Sequence, residues 1–275
     1  MDLTQAHQFA TRQARAACGE LYPGPVLVPR DLLRAMDPIL AVALGPAREG
    51  SERFQASLER MLRGRPDGPL LLSLWASVAA GEIPHRDLRV MAARMPSPLP
   101  GAPATREELL AWMRPRVACI ARPVLDVAGR RNEQTEAAAV HLGCGLALTR
   151  LLLQLPHDLT QGRLPLPRED LEAAGCSREE LFAGVRTPAV DRFLQREAQW
   201  AWEELDRGLP LAGRLVGARL RRGFRAAVLR ARGLLQRITD PERDFFRRPP
   251  RLRPARRWSY AVRVWWRVRP SRRTA

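Results

Sequence analysis

The stretch from Leu142 to Leu181 reads LGCGLALTRLLLQLPHDLTQGRLPLPREDLEAAGCSREEL, and it indicates the fold more clearly than any other part of the chain. Its first half is apolar and rich in small residues, which is typical of a helix packed closely against its neighbours. Asp158, a Gly-Arg pair, a Leu-Pro pair and an acidic helix start follow in that order. Elsewhere Leu, Ala, Arg and Glu dominate and alternating β-branched runs are scarce. The sequence therefore predicts an all-α fold.

Local signals predict where several helices begin and end. The first helix is expected to begin near Leu3 with Thr4 as its cap, and a capping box is expected at Thr105. Thr135 to Leu155 predicts a long central helix that Pro156 ends, because proline lacks the backbone donor that a helix interior needs. Leu211 to Arg237 predicts a basic amphipathic helix interrupted by glycines.

The order of features in the quoted stretch resembles that of squalene and phytoene synthases. In that family, two DxxxD motifs on facing helices bind magnesium ions that hold a prenyl diphosphate. Magnesium prefers several oxygen ligands in strict geometry. At the second motif this chain has Gln154 and Asp158, and the stretch comparable to the first motif, Leu33 to Ser51, has only Asp37 and Glu49 as acids. The resemblance implies an isoprenoid-synthase-type helical bundle that has lost most of its metal ligands.

The resemblance also implies which residues meet the substrate. Gln154, Asp158 and Arg163 are the predicted substrate-binding residues, and Asp158 is the remaining candidate for a metal ligand. Arg163 matches the Gly-Arg of the family and could bind an anion bidentately; alternatively it could pair with Glu169 or Asp170. The Pro in the second motif and the following Leu-Pro pair are similar to a degenerate branch of the family known from a respiratory complex I assembly factor.

Two functions follow as hypotheses. The first is a non-catalytic isoprenoid-binding or assembly protein, with a lipid or a protein partner, no assigned catalytic residue and no cofactor. The second is a divergent prenyltransferase that condenses prenyl diphosphates in squalene, hopanoid or carotenoid biosynthesis. That enzyme would hold magnesium with unexpected acids such as Asp37, Glu49, Asp126 and Asp158.

The charge of the chain is concentrated at one end. Residues 213–275 contain 20 arginines and three acids, whereas residues 1–212 contain 26 of each, so the net +17 lies wholly after residue 212. Such asymmetry indicates an electrostatic partner. The sequence predicts a helical domain over residues 1–240 and a basic tail over 241–275.

The tail mixes arginine with aromatic residues, which favours an anionic membrane interface. The predicted membrane-binding residues are Arg256, Arg257, Trp258, Trp265 and Trp266. Nucleic acid is a less favoured partner, because residues 1–212 carry no net charge and no known nucleic-acid module. No secretory signal is evident, and the apolar run Pro69 to Ala80 is too short to cross a bilayer. The expected location is therefore cytoplasmic, at the inner face of the membrane.

Overall fold

The computed structural model describes residues 2–22, 28–44, 51–94, 101–215, 217–248 and 250, and these residues form helices, turns and loops without a β-strand. The all-α prediction is confirmed. The α-helices in the described ranges are α1 (Leu3–Cys18), α2 (Arg30–Leu44), α3 (Ser51–Leu62), α4 (Gly68–Ala79), α5 (His85–Arg94), α6 (Arg106–Val127), α7 (Glu133–Thr160), α8 (Arg168–Ala174), α9 (Arg178–Phe182), α10 (Pro188–Gly208), α11 (Leu211–Arg214) and α12 (Ala218–Ile238).

The caps agree with the sequence in one case and correct it in another. The Thr105 hydroxyl accepts a hydrogen bond from the Glu108 backbone N–H at 3.2 Å, as a capping residue should. The Glu108 carboxylate accepts from the Ala104 backbone N–H at 2.6 Å instead of from that of Thr105, so only the threonine half of the predicted capping box is present. At α1 the cap is Asp2, whose carboxylate accepts from the Gln5 backbone N–H at 2.7 Å. The prediction of Thr4 as cap is wrong, since Thr4 already lies inside the first turn.

Pro156 does not end the central helix, and that prediction is also wrong. Helix α7 continues through Pro156 to Thr160. Leu155 and Leu159, on either side of the proline, are buried in the main hydrophobic cluster. Their burial offsets the lost backbone hydrogen bond. Because the helix continues, Gln154 and Asp158 keep the i, i+4 spacing that places two side chains on one face.

Helix α7 forms the centre of the C-terminal half, where it packs against α6, α10 and α12. Two glycines allow α7 and α10 to approach closely. A Cβ at Gly145 would lie 2.8 Å from the Leu205 backbone nitrogen, and a Cβ at Gly208 would lie 2.8 Å from the Leu142 Cα. By length and composition alone α7 could cross a membrane. Its packing against three helices accounts equally for its apolar character.

The N-terminal helices pack around two further hydrophobic clusters. Helix α2 packs against α1, α4 and α6, and helix α3 packs against α4 and α5. One cluster includes Ile39, Leu58 and Met91. Another joins Leu33 of α2 to Ala226 of α12. The fold thus consists of an N-terminal and a C-terminal group of helices, both in contact with α6.

The basic helix predicted over Leu211 to Arg237 is interrupted by a glycine as expected, but only once, since α12 continues through Gly223 and Gly233. The break falls at Gly217, whose φ of 83° is readily adopted by glycine, and it separates α11 from α12. Packing continues beyond residue 240, because Phe245 is buried in the main cluster. The Arg186 side chain donates to the carbonyls of Asp240 and Arg243 at 2.6 and 3.1 Å. The predicted division at residue 240 stays a prediction.

Candidate functional site

The second-motif positions lie near the C-terminal end of α7. Gln154 is exposed, and Asp158 lies one turn later with 15% of its side chain exposed. The chain then turns back at Gly162, whose φ is 70°. This turn places Arg163 against Asp158, with 2.7 Å between Arg163 Nη2 and Asp158 Oδ1. Of the three predicted substrate-binding residues, the structure therefore joins Asp158 and Arg163 in an ion pair.

Arg163 does not pair with the two acids that the sequence offered as alternatives. Glu169 accepts a hydrogen bond from the Arg106 backbone N–H at 2.6 Å. Asp170 is buried and accepts from the guanidinium groups of Arg106 and Arg196 at 2.7 and 3.1 Å. Both acids are thus engaged by other partners.

The described residues do not fit the metal site of the resemblance. Gln154 supplies a neutral amide instead of a carboxylate, and Asp158 shares one oxygen with both Nε and Nη2 of Arg163. Over the described ranges no three His, Cys, Asp or Glu side chains form a group that could hold a metal ion. Magnesium needs several oxygen ligands at short distance, and this end of α7 offers one carboxylate that is already paired.

Asp37 is occupied elsewhere. It is buried in α2, where the hydroxyls of Thr11 and Tyr22 donate to its carboxylate at 2.6 and 2.9 Å. Burial raises the pKa of Asp37, and these two hydrogen bonds partly oppose that rise. This carboxyl group joins α1, α2 and the segment after α1, which is a structural role.

Asp126 is on α6 and lies close to the start of α7, whereas Asp158 lies near the end of α7. Asp126 pairs with Arg131 at 2.7 Å, and Arg131 also approaches Glu136 at 3.6 Å. Glu136 and Asp158 are 22 residues apart on one helix, which at 1.5 Å per residue is about 33 Å. The prediction that Asp37, Asp126 and Asp158 converge on one metal ion is therefore wrong for these three residues. Glu49 lies outside the described residues.

A surface groove of about 620 Å³ lies beside the first turns of α7. Its lining residues are Arg114, Arg131, Asn132, Glu133, Glu136, Ala137, Val140 and His141. Val140 is 14 residues before Gln154 on the same helix, or about 21 Å. This groove is consequently separate from the second-motif positions.

Several aromatic and histidine side chains of the described residues serve packing. Phe193 and Trp200 are buried in the main cluster, and the Arg106 guanidinium lies 5.0 Å from the centroid of the Trp200 ring. The imidazole of His141 bonds the buried Glu204 at 2.8 Å, and the imidazole of His7 bonds Ser73 at 2.7 Å. These contacts connect neighbouring helices.

Glu197 is a buried acid that sequence reasoning missed. Burial first, and the nearby Asp170 carboxylate second, raise the pKa of Glu197 well above its usual range. Such an environment favours the neutral form of the carboxyl group. Glu197 lies beside the Asp170 ion pairs in the core of α8 and α10, so we assign it to structure.

Arg150 is a second residue that the sequence analysis did not single out. It lies on α7 one turn before Gln154, is half-buried, and donates from Nη2 to the carbonyl of Leu44 at 3.3 Å. Burial lowers the pKa of Arg150. Among the described residues no carboxylate forms a salt bridge with it. The sequence feature that could have identified Arg150 is its position as an arginine within an apolar helix rich in small residues.

The five predicted membrane-binding residues, Arg256, Arg257, Trp258, Trp265 and Trp266, all lie outside the described residues. The assignment of the tail to a membrane surface stays a prediction.

Comparisons with known proteins connect this geometry to a family. The family profile described as squalene/phytoene synthase matches residues 25–258. Phytoene synthase of Thermus thermophilus is 30% identical over 82% of this chain and 81% of its own length. Chloroplastic phytoene synthase 1 of Zea mays is also 30% identical, but the match covers 58% of this chain and 41% of the maize protein.

Solved structures agree in fold. A dehydrosqualene synthase in complex with ligand superposes with a TM-score of 0.79 at 15% identity, covering 96% of this chain and 97% of that one. Squalene synthase HpnC from Alicyclobacillus acidocaldarius gives a TM-score of 0.69 at 20% identity, covering 85% and 93%. The long match to the family profile, the Thermus relative and the shared helical fold lead to one conclusion: the chain belongs to the squalene/phytoene synthase family.

Proposed function

We propose that this family member binds an isoprenoid lipid, such as a prenyl diphosphate, at a membrane surface and does not couple prenyl diphosphates efficiently. The observation that carries the proposal is the ion pair between Asp158 and Arg163 beside Gln154. At the positions where the resemblance calls for two free carboxylates, this chain has an amide and a carboxylate neutralised by arginine. Metal ions in such reactions stabilise the negative charge of the leaving diphosphate, and the described residues at this end of α7 supply too few ligands to hold them.

A second candidate, a divergent prenyltransferase of isoprenoid biosynthesis, is favoured by one specific observation. The relative from Thermus thermophilus is called a phytoene synthase and matches along 81% of its length. In such a prenyltransferase, Glu49 would be an additional magnesium ligand. Such an enzyme would need magnesium, and replacing Glu49 or Asp158 by the matching amide should abolish its product.

The lipid-binding part of the proposal predicts that the purified protein retains an isoprenoid. We expect a mass spectrum of its lipid extract to contain a polyprenyl compound at close to one molecule per chain. Its apolar tail would be held by burial in the helical bundle, at about 25 cal/mol per Å² of apolar surface. The matched control is an unrelated helical protein purified from the same cells. Equal isoprenoid content in both extracts would contradict the proposal.

The tail supplies the membrane contact in this proposal. Residues 251–275 contain nine arginines and no acid, together with Trp258, Trp265 and Trp266. Tryptophan favours the interface between headgroups and acyl chains, and each arginine near an anionic surface contributes about 1 kcal/mol. A peripheral position on the inner face of the cytoplasmic membrane follows from this combination. A protein partner at that surface is compatible with it.

Truncation after Pro250 tests this role. It removes nine positive charges and leaves every described residue in place, so we expect an unchanged helical circular dichroism spectrum. Binding to vesicles with anionic lipid should weaken by about tenfold or more. High salt should also weaken binding of the full chain, because the screening length falls from about 8 Å to about 3 Å at 1 M.

The double variant Trp265→Ala and Trp266→Ala is the matched control for the apolar contribution. Its binding should weaken while the salt dependence stays. Equal binding of the full chain to neutral and anionic vesicles would rule out an electrostatic role for the tail.

A further inference from the structure

Arg150 occupies an unusual position in this fold. The N-terminal helices α1 and α2 and the central helix α7 belong to different packing groups, and the Arg150 side chain extends from one to the other. Arg150 Nη2 donates a hydrogen bond to the carbonyl of Leu44, the last residue of α2. A guanidinium at a helix C-terminus is favourable, because the carbonyls there carry partial negative charge. This bond uses one of five N–H donors and, at 3.3 Å, it is long.

The charge of Arg150 is poorly compensated by its surroundings. Burying a charge without a partner is costly, so buried charges are normally paired. Cys18 is close enough to act on Arg150 electrostatically, but burial raises the pKa of Cys18 to about 11, so at neutral pH it is an uncharged thiol. The other described residues provide no salt bridge to Arg150. An anionic ligand would provide the missing negative charge.

The placement of Arg150 suggests which anion. Arg150, Gln154 and Asp158 are spaced i, i+4 and i+8, so they lie along one face of α7. Two of these are the second-motif positions, and Arg163 adds a further guanidinium beside Asp158 at 63% exposure. The guanidinium groups of Arg150 and Arg163 and the amide of Gln154 between them provide N–H donors that could bind an anion without a metal ion. Guanidinium groups bind phosphate oxygens bidentately, which suits a diphosphate.

We propose that Arg150 binds the diphosphate of an isoprenoid ligand directly, in a subsite that works without magnesium. This inference rests on the proposed function, since it names the headgroup that the lipid site accepts. The diphosphate oxygens would accept from Arg150, Gln154 and Arg163. The apolar chain would extend between the two helix groups.

The experiment compares two ligands that share one isoprenoid chain and differ in the headgroup. Farnesyl diphosphate and farnesol have the same chain, and inorganic diphosphate supplies the headgroup alone. Affinities are measured in EDTA for the wild type and for Arg150→Gln. We expect farnesyl diphosphate to bind the wild type, and Arg150→Gln to weaken it by about tenfold or more, as for loss of a charge-assisted hydrogen bond. Farnesol binding should not change, and inorganic diphosphate should compete with farnesyl diphosphate.

The control variant is Arg60→Gln. Arg60 is an exposed arginine on α3 that pairs with Asp67 at 2.6 Å, so its loss should leave all three affinities unchanged. If Arg150→Gln does not fold, Arg150→Lys replaces it. Lysine keeps the charge and loses the bidentate geometry, so it should still weaken farnesyl diphosphate binding.

The outcomes separate the inference from the function on which it rests. Equal affinities of the wild type and Arg150→Gln for farnesyl diphosphate would overturn the role of Arg150, while farnesol binding would leave the lipid site in place. Binding of farnesyl diphosphate that disappears in EDTA would also overturn a subsite without metal. Failure of the wild type to bind any of the isoprenoid ligands would refute both proposals.

Discussion

Alanine at Gly145 is expected to lower the free energy of unfolding by about 1–3 kcal/mol, the usual cost of overpacking a well-packed interface. The added Cβ would lie 2.8 Å from the Leu205 backbone nitrogen and 3.0 Å from the Ala201 carbonyl oxygen. Backbone atoms of a neighbouring helix cannot rotate away as a side chain can. Helices α7 and α10 must therefore separate, which opens the centre of the main cluster. Alanine favours a helix over glycine by about 1 kcal/mol, so the steric cost is larger than the net loss.

Thermal unfolding measures this effect, with a decrease in Tm of about 2–10 °C expected. Gly208→Ala should behave alike, because its Cβ would lie 2.7 Å from the Leu142 backbone nitrogen. Gly213→Ala is the matched control, since no atom lies within 4 Å of its Cβ. If Gly145→Ala were as stable as Gly213→Ala, the close packing of α7 on α10 would be contradicted.

The fold was largely predictable because its signals are local. A capping threonine followed three residues later by a glutamate marked the start of α6, and small residues marked the close packing of α7. The predicted end at Pro156 failed because burial of Leu155 and Leu159 outweighs one missing hydrogen bond. Helix propensity predicts the end of a helix poorly where tertiary packing determines whether the helix continues.

The candidate site was less predictable because its contacts depend on the chain in three dimensions. Pairing of Asp158 with Arg163 needs the turn at Gly162, and the same sequence allowed pairing with Glu169 or Asp170. The bond from Arg150 to Leu44 joins residues 106 positions apart. No spacing in the sequence reports such a contact. The separation of Asp126 from Asp158 becomes evident only when both are placed relative to α7.

The largest functional effect is expected for prenyl coupling itself. In a coupling reaction, metal ions offset the charge that develops on the departing diphosphate, which contributes several kcal/mol of transition-state stabilisation. Each 1.36 kcal/mol corresponds to a tenfold change in rate. A chain in which Gln154 replaces an acid and Arg163 neutralises Asp158 should therefore couple prenyl diphosphates at least about a hundredfold more slowly than a synthase with both motifs intact.

The most direct measurement is product formation from geranylgeranyl diphosphate, and separately from farnesyl diphosphate, in the presence of magnesium. The phytoene synthase of Thermus thermophilus, assayed alongside, is the positive control. Binding of the substrate by this chain is measured in the same samples, so that absence of product is not absence of ligand. The expected result is bound prenyl diphosphate with little or no coupled product. Product formed at a rate close to that of the control, and lost in the Asp158→Ala variant, would contradict it.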